Sequence, residues 1–165
     1  MFICLLVILV VGLLLPQQYQ VTQAVRIDSP QATVTPLLID FNNWHAWQPW
    51  ARVDDSIKFT IAEPSKGVGA HQFWQSRWGH GEMTITQLTQ DEMHFNLLFN
   101  QEHIAQGLIT FKVKNNIVVV QCSLNGEVNT PIVGGYLALL NQYILNNTLK
   151  LALNNLKTHV QLEHD

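Results

Sequence analysis

Phe41-Asn42-Asn43-Trp44-His45-Ala46-Trp47-Gln48-Pro49-Trp50 places three of the chain's five tryptophans within seven residues. Trp is costly to leave in water, and when buried it keeps a partner for its indole N–H. A cluster this dense must therefore wrap around something apolar: a core, a bound ligand or a partner. The stretch follows a short amphipathic segment and precedes the first long region of β-like alternation, so it reads as a connection that closes one end of a hydrophobic pocket.

Upstream, Asp28-Ser29-Pro30 reads as a helix start, with Ser29 as the cap and Pro30 at the first helical position. Val34, Leu37, Leu38 and Phe41 then recur at i, i+3, i+4 and i+7, one face of a helix. Pro36 lies inside that pattern and should kink or shorten it. Before this helix, Tyr19 to Ile27 alternates as a half-buried strand.

Downstream the period becomes two. Ile57, Phe59 and Ile61 alternate with polar residues. Ala70 to Trp78 puts Trp74 and Trp78 on one face and Phe73 on the other, and Gly79-His80-Gly81 reads as a hairpin turn. Met83, Ile85 and Leu88 follow. Met93, Phe95, Leu97 and Phe99 form the cleanest alternation in the chain. Asn100-Gln101-Glu102 and Asn115-Asn116 read as turns around a strand with Ala105, Gly107, Ile109, Phe111 and Val113 on its apolar face. Ile117 to Leu124 opens on a β-branched run and reads as a strand, and after Asn125-Gly126 comes a loop holding Pro131 and Gly134-Gly135. From Tyr136 to Val160 there is no Pro or Gly, and Leu145, Leu149, Ala152, Leu153, Leu156 and Val160 share one helical stripe, which Leu137, Leu140 and Ile144 extend. The expected class is α+β: a curled seven-stranded antiparallel sheet wrapped on a long C-terminal helix, with a short helix after the first strand and room for a small ligand between the layers.

The chain resembles the START-like helix-grip superfamily (SRPBCC proteins), in its polyketide cyclase/dehydrase-like branch. The residues that carry the resemblance are Ile27-Asp28-Ser29-Pro30, Leu37 to Trp44 with Trp47-x-Pro49-Trp50, Gly67-Val68-Gly69-Ala70, Gly79-x-Gly81-x-Met83-x-Ile85 and Leu153-Asn154-Asn155-Leu156-Lys157. They span roughly residues 19–158. Ala152 stands where relatives often carry Gly. The resemblance implies an apolar cavity and, in this branch, a short N-terminal membrane anchor; it implies no particular reaction.

At 165 residues one domain is expected at 17–165, behind an N-terminal hydrophobic anchor or signal at 1–16. Phe2 to Leu15 holds only apolar residues and Gly12, and Pro16 ends it. It lacks the positive flank and small-residue cleavage site of a signal peptide, so a single-pass anchor through residues 2–15 is the favoured reading. As a helix it spans about 21 Å, against a hydrocarbon core of about 30 Å. Its orientation is not set, because no Lys or Arg precedes it and only Arg26 follows closely.

Nine Lys and Arg against twelve Asp and Glu, without a basic run, leave a nucleic-acid partner without its electrostatic footprint. Cys4 and Cys122 sit in unlike segments, so no disulfide framework is indicated. His71, His80, His94 and His103 fall on or beside strands without a metal-ligand spacing, and are expected on the outer face of the sheet; no metal and no cofactor is expected. There is no glycine-rich phosphate loop, nucleophile–base pair or carboxylate pair.

The expected cavity lining is Trp44, Trp47, Trp50, Trp74, Trp78, Phe95, Phe99, Phe111 and Tyr143. For Trp44, Trp47 and Trp50 the competing structural reading is a plug between the short helix and the sheet. Arg77 and Glu82 are expected to pair at the surface across the hairpin. Three functions follow: a membrane-tethered binder of a hydrophobic small molecule or lipid; a cyclase- or dehydratase-type enzyme in which His45 or Tyr143 supplies a proton; or a protein-interaction module using the exposed sheet edge or the tryptophan loop, which predicts that the Trp side chains lie exposed as a patch. Oligomeric state is not set by the sequence.

Overall fold

The computed structural model describes residues 2–100, 103–114 and 117–162. The expected turn at Asn115-Asn116, and Gln101-Glu102 of the one after Asn100, lie outside the described residues. In chain order the elements are α1 (Phe2–Leu14), β1 (Gln18–Ile27), α2 (Gln31–Ile39), a 3-10 helix (Phe41–Ala46), α3 (Trp50–Val53), β2 (Lys58–Ile61), β3 (His71–Ser76), β4 (Gly79–Leu88), β5 (Glu92–Phe99), β6 (His103–Lys114), β7 (Ile117–Glu127) and α4 (Gly134–Leu162). The strands form one antiparallel sheet in the order β1-β7-β6-β5-β4-β3-β2. Consecutive strands from β2 to β7 pair with their neighbours. β1 closes the far edge against β7, so the long α2 to α3 connection bridges the two edges.

Register makes the inner face apolar. Ile85, Phe95, Gly107, Leu124 and Val21 lie opposite one another across β4, β5, β6, β7 and β1. Leu88, Met93, Ile109 and Cys122 form a second such row. The spacing Met83, Ile85, Leu88 follows from a bulge between Ile85 and Gln87. One extra residue shifts the alternation, so Leu88, not Gln87, opposes Met93. The outer face is polar, with His71, Thr84, Asn96, Gln106, Asn125 and Gln20 in one cross-sheet row.

Several local expectations shift. The turn between β3 and β4 is Arg77-Trp78, closed by the Ser76 and Gly79 pair, and Gly79 has φ of 142°. The strand therefore ends before Trp78, which cannot share a face with Trp74. Gly126 pairs with Tyr19 and Ala105 inside the sheet, and the loop follows one residue later, after Glu127. Pro30 occupies the cap position of α2, and Ser29 is buried one residue earlier. The tryptophan stretch is regular, a 3-10 turn followed by the short α3. α4 begins at Gly134 rather than Tyr136, and Leu137, Leu140 and Ile144 are exposed on it rather than extending its buried face.

α4 packs chiefly along β1. Its start lies beside the start of β1, where Val128 N donates to Gln17 O at 2.9 Å. Gln23 Nε2 reaches Asn146 Oδ1 at 2.6 Å, and further on Asn155 Nδ2 donates to Trp47 O at 3.2 Å. α2 covers the opposite end of the sheet, anchored by Gln31 Nε2 to Asp91 Oδ1 at 3.0 Å and Phe111 O at 3.2 Å. The densest core sits under α2, where Val34, Leu38, Phe41, Phe111, Val118 and Val120 are buried.

Cys122 is buried in this core, and burial pushes its thiol pKa up to about 12. An unfolded thiol titrates near 8.5. The neutral thiol thus contributes stability that is fully present below about pH 8.5 and is lost as pH rises toward 12, by up to ~1.4 kcal/mol per pH unit. Denaturant titrations at rising pH should show this slope in the wild type and its loss in Cys122→Ala. A thiol-reactive dye should modify Cys122 only after unfolding.

Candidate functional site

The inner face has a closed end and an open end. At the closed end α2 stops at Ile39, leaving its last carbonyls without intrahelical partners. The tryptophan stretch supplies the donors. Asn43 Nδ2 bonds Pro36 O at 3.0 Å, Trp47 Nε1 bonds Leu37 O at 2.9 Å, and Trp44 Nε1 bonds Leu38 O at 2.8 Å. Phe41 meets Trp44 edge-on at 5.1 Å, and Trp44 and Trp47 lie 4.8 Å apart. Both indoles are buried at 5% exposure. They cap α2 and fill the gap beneath it.

Three aromatic rings on the inner face lie directly opposite glycines: Trp74 over Gly81, Phe95 over Gly107 and Tyr19 over Gly126. In each case a Cβ on the glycine would overlap the ring. Glycine inside a strand weakens it but permits this close approach. The rings can therefore lie along the sheet rather than rise from it. Toward the start of β1 and α4 the inner face is only partly covered: Phe59, Ile61, Trp74, Leu97 and Tyr19 are half-buried, and Phe99 is 38% exposed. Leu145 and Leu149 of α4, also half-buried, pack against the core. Gln72 is the buried polar side chain of this face. It stands between Ile61 and Met83, and its Nε2 has a weak contact of 3.7 Å to Met83 Sδ. Burial raises the pKa of the Tyr19 phenol.

The structure separates the residues singled out from the sequence. Trp44, Trp47, Phe95 and Phe111 belong to the packed core, and Trp50 is half-buried at the start of α3. Trp74 and Phe99 border the open end. Trp78 is 75% exposed at the hairpin tip and Tyr143 70% exposed on α4, both away from the inner face. His45 is exposed, with Nδ1 2.6 Å from Asn42 O. The fold does not bring His45 and Tyr143 together. The buried Trp44 and Trp47 form no surface patch of the kind an interaction module requires.

The polar groups pair differently from expectation. Arg77 binds Asp55 and, at 3.6 Å, Asp54, which ties the hairpin to the turn before β2. Asp54 accepts from Ser56 N and Oγ, and these bonds hold its carboxyl below the usual range. Glu82 instead faces His71 at 3.3 Å, and the other ring nitrogen of His71 lies 2.6 Å from Thr84 Oγ1. This Thr84–His71–Glu82 chain has the connectivity of a hydroxyl, a base and an orienting acid. It lies on the outer face, opposite the apolar space, with the Phe73 ring 4.4 Å from the imidazole. Among the described residues no group of three potential metal ligands forms.

The sequence reading missed two features. One is the set of glycines under aromatic rings, whose signal is cross-strand and invisible along the chain. The other is a cleft of about 420 Å³ lined by Gln18, Tyr19, Gln20, Gln106, Asn125, Gly126 and Glu127. Its Gln and Asn side chains belong to the outer face, while Tyr19 and Gly126 come from the inner face at its open end.

No protein-family model and no curated protein matches the chain by sequence. Solved structures match its fold. A Thermus thermophilus protein superposes with a TM-score of 0.64 at 18% identity, over 88% of this chain and 99% of its own. DynU16, from the dynemicin biosynthetic locus, gives 0.61 at 12% identity over 86% of this chain and 47% of its own. Ara h 8.0201 gives 0.61 at 9% identity over 88% and 99%. The fold is the helix-grip fold expected from the sequence.

Proposed function

We propose that residues 17–165 bind a hydrophobic small molecule or lipid between the sheet and α4, with residues 2–15 holding the domain at a membrane. The observation that carries the binding reading is the gradient along the inner face. The end under α2 is packed shut, while the end bounded by Trp74, Leu97 and Phe99 keeps apolar side chains half-exposed. Apolar surface in a concavity with few polar groups is the usual composition of a small-molecule site. The helix-grip likeness supports the same reading by analogy.

Among the described residues no helix is long and apolar enough to cross a membrane. α1 has 13 residues, about 20 Å of helix against about 30 Å of hydrocarbon. Attachment is therefore proposed as insertion of the described α1 into lipid.

Native mass spectrometry of the full chain, released from membranes in mild detergent, should show an apolar adduct. Anilinonaphthalene sulfonate should compete with it. Trp74→Ala should weaken dye binding about tenfold, roughly 1.4 kcal/mol, while the melting temperature moves little because the ring is only half-buried. Unchanged binding in Trp74→Ala and in Leu97→Asp would remove this end of the sheet as the site.

A further inference from the structure

The surface around the open end is apolar beyond what ligand binding uses. On α1, Leu6, Leu9, Val10, Leu13 and Leu14 are exposed. With Val7 and Val11 they cover roughly 200° of the helix circumference at ~100° per residue. A protein partner buries one stripe of a helix, whereas a lipid phase can cover so wide an arc. α1 is also fixed to the domain. Gly12 approaches the Ile132 carbonyl and the Tyr136 ring, and Leu15 lies against Gly135.

The apolar surface continues from that contact. Ile132 and Val133 are exposed in the turn before α4. Leu139, Leu140 and Tyr143 follow on the back of α4, on the far side from Ala138, Leu153 and Leu156; Leu140 is 51% exposed. No Asp, Glu, Lys or Arg lies between Glu127 and Lys150, or before Arg26. This half of α4 flanks the start of β1, at the open end of the inner face.

We infer that the Ile132-Val133 turn and the back of α4 from Leu139 to Tyr143 form a second lipid-contact face. Together with α1 it seats the open end of the ligand space on a phospholipid bilayer. An apolar ligand then passes between bilayer and protein without crossing water. The inference rests on the proposed membrane attachment and ligand binding. The occupant is a bilayer rather than a second copy because α1, packed against the same turn, exposes apolar surface over too wide an arc for one protein interface. With an uncharged face on a chain of net charge −3, binding comes from apolar contact; neutral phosphatidylcholine suffices and added salt does not weaken it.

Nitroxide labels on the full chain test this, in a Cys4→Ser background with Cys122 left buried. Labels at Leu9→Cys, Leu140→Cys and Gln106→Cys report α1, the back of α4 and the outer face. With phosphatidylcholine vesicles, labels 9 and 140 should gain protection from an aqueous nickel relaxant and exposure to oxygen, while label 106 stays aqueous. Leu139→Ser with Leu140→Ser should lower vesicle partitioning of the full chain about tenfold or more. If label 9 enters lipid and label 140 stays aqueous, the second face is wrong and the α1 tether stands. If label 140 enters and label 9 does not, the face stands and the tether is wrong. Both labels remaining aqueous removes both, and immobilisation of label 140 without vesicles assigns the face to a second copy of the chain.

Discussion

Trp44→Ala is expected to destabilise the domain by about 3–5 kcal/mol, the usual cost of emptying a large aromatic site from a packed core. For a domain of this size that is a fall in Tm on the order of 10 °C. Two losses combine. The cavity removes the contacts with Phe41 and Trp47, and the Leu38 carbonyl at the end of α2 loses its donor. Trp44→Phe separates them, since it keeps most of the apolar volume and removes the N–H. Leaving the buried carbonyl unpaired should cost about 1–3 kcal/mol. Trp47→Ala should behave like Trp44→Ala through Leu37. Because these indoles stand at the closed end, the remaining folded protein should bind anilinonaphthalene sulfonate as the wild type does. Lost binding with unchanged Tm would instead make them part of the site.

Gly107→Val should be comparably damaging for the opposite reason. A Cβ at position 107 falls 2.0 Å from the Phe95 ring, which lies directly opposite in the pairing of β5 with β6. Phe95 is buried, and its inner-face neighbours Ile85, Leu124 and Ile109 are buried with it. The ring can move only into occupied volume, and such overpacking costs typically ~1–3 kcal/mol, occasionally more. Gly107→Ala meets the same obstacle with a smaller group. Pairing Gly107→Ala with Phe95→Ala removes the clash, so the double variant should be less destabilised than the two single changes summed. A double-mutant cycle by urea denaturation should give a coupling of about 0.5–3 kcal/mol. Additive effects would show that the ring is free to turn away.

Much of the architecture is legible along the chain because period and burial are coupled. The alternation Met93, Phe95, Leu97, Phe99 and the stripe Leu153, Leu156, Val160 specify which face of an element is buried wherever that element packs. Even the bulge after Ile85 leaves a mark in the spacing to Leu88. The local misreadings arise where one pattern admits two geometries. Trp78 continues the alternation of Trp74 on paper, yet the strand ends at Ser76 and Trp78 sits in the turn. Gly134-Gly135 look like part of the loop that holds Pro131, yet they are the first residues of α4. Leu137, Leu140 and Ile144 make a helical stripe of their own, but at ~100° per residue it falls on the far side of α4 from Leu145, Leu149 and Leu156, so it is exposed although Ala138 beside it is buried.

The seven strands with their inner faces, the amphipathic terminal helix and the charge-free N-terminal segment can all be read from residue order, because each depends on periodicity or composition within one stretch; the helix-grip class came from the order of these elements together with the family resemblance. Which end of the inner face is shut depends on the packed fold. Phe41–Trp50 could have been a gate or a plug for as long as its indole donors had no known acceptors. The carbonyls of Leu37 and Leu38 became those acceptors only when α2 ended above them. Likewise, aromatic residues can lie flat only opposite glycines, and which residues stand opposite is set by strand register, a relation between segments far apart in the chain.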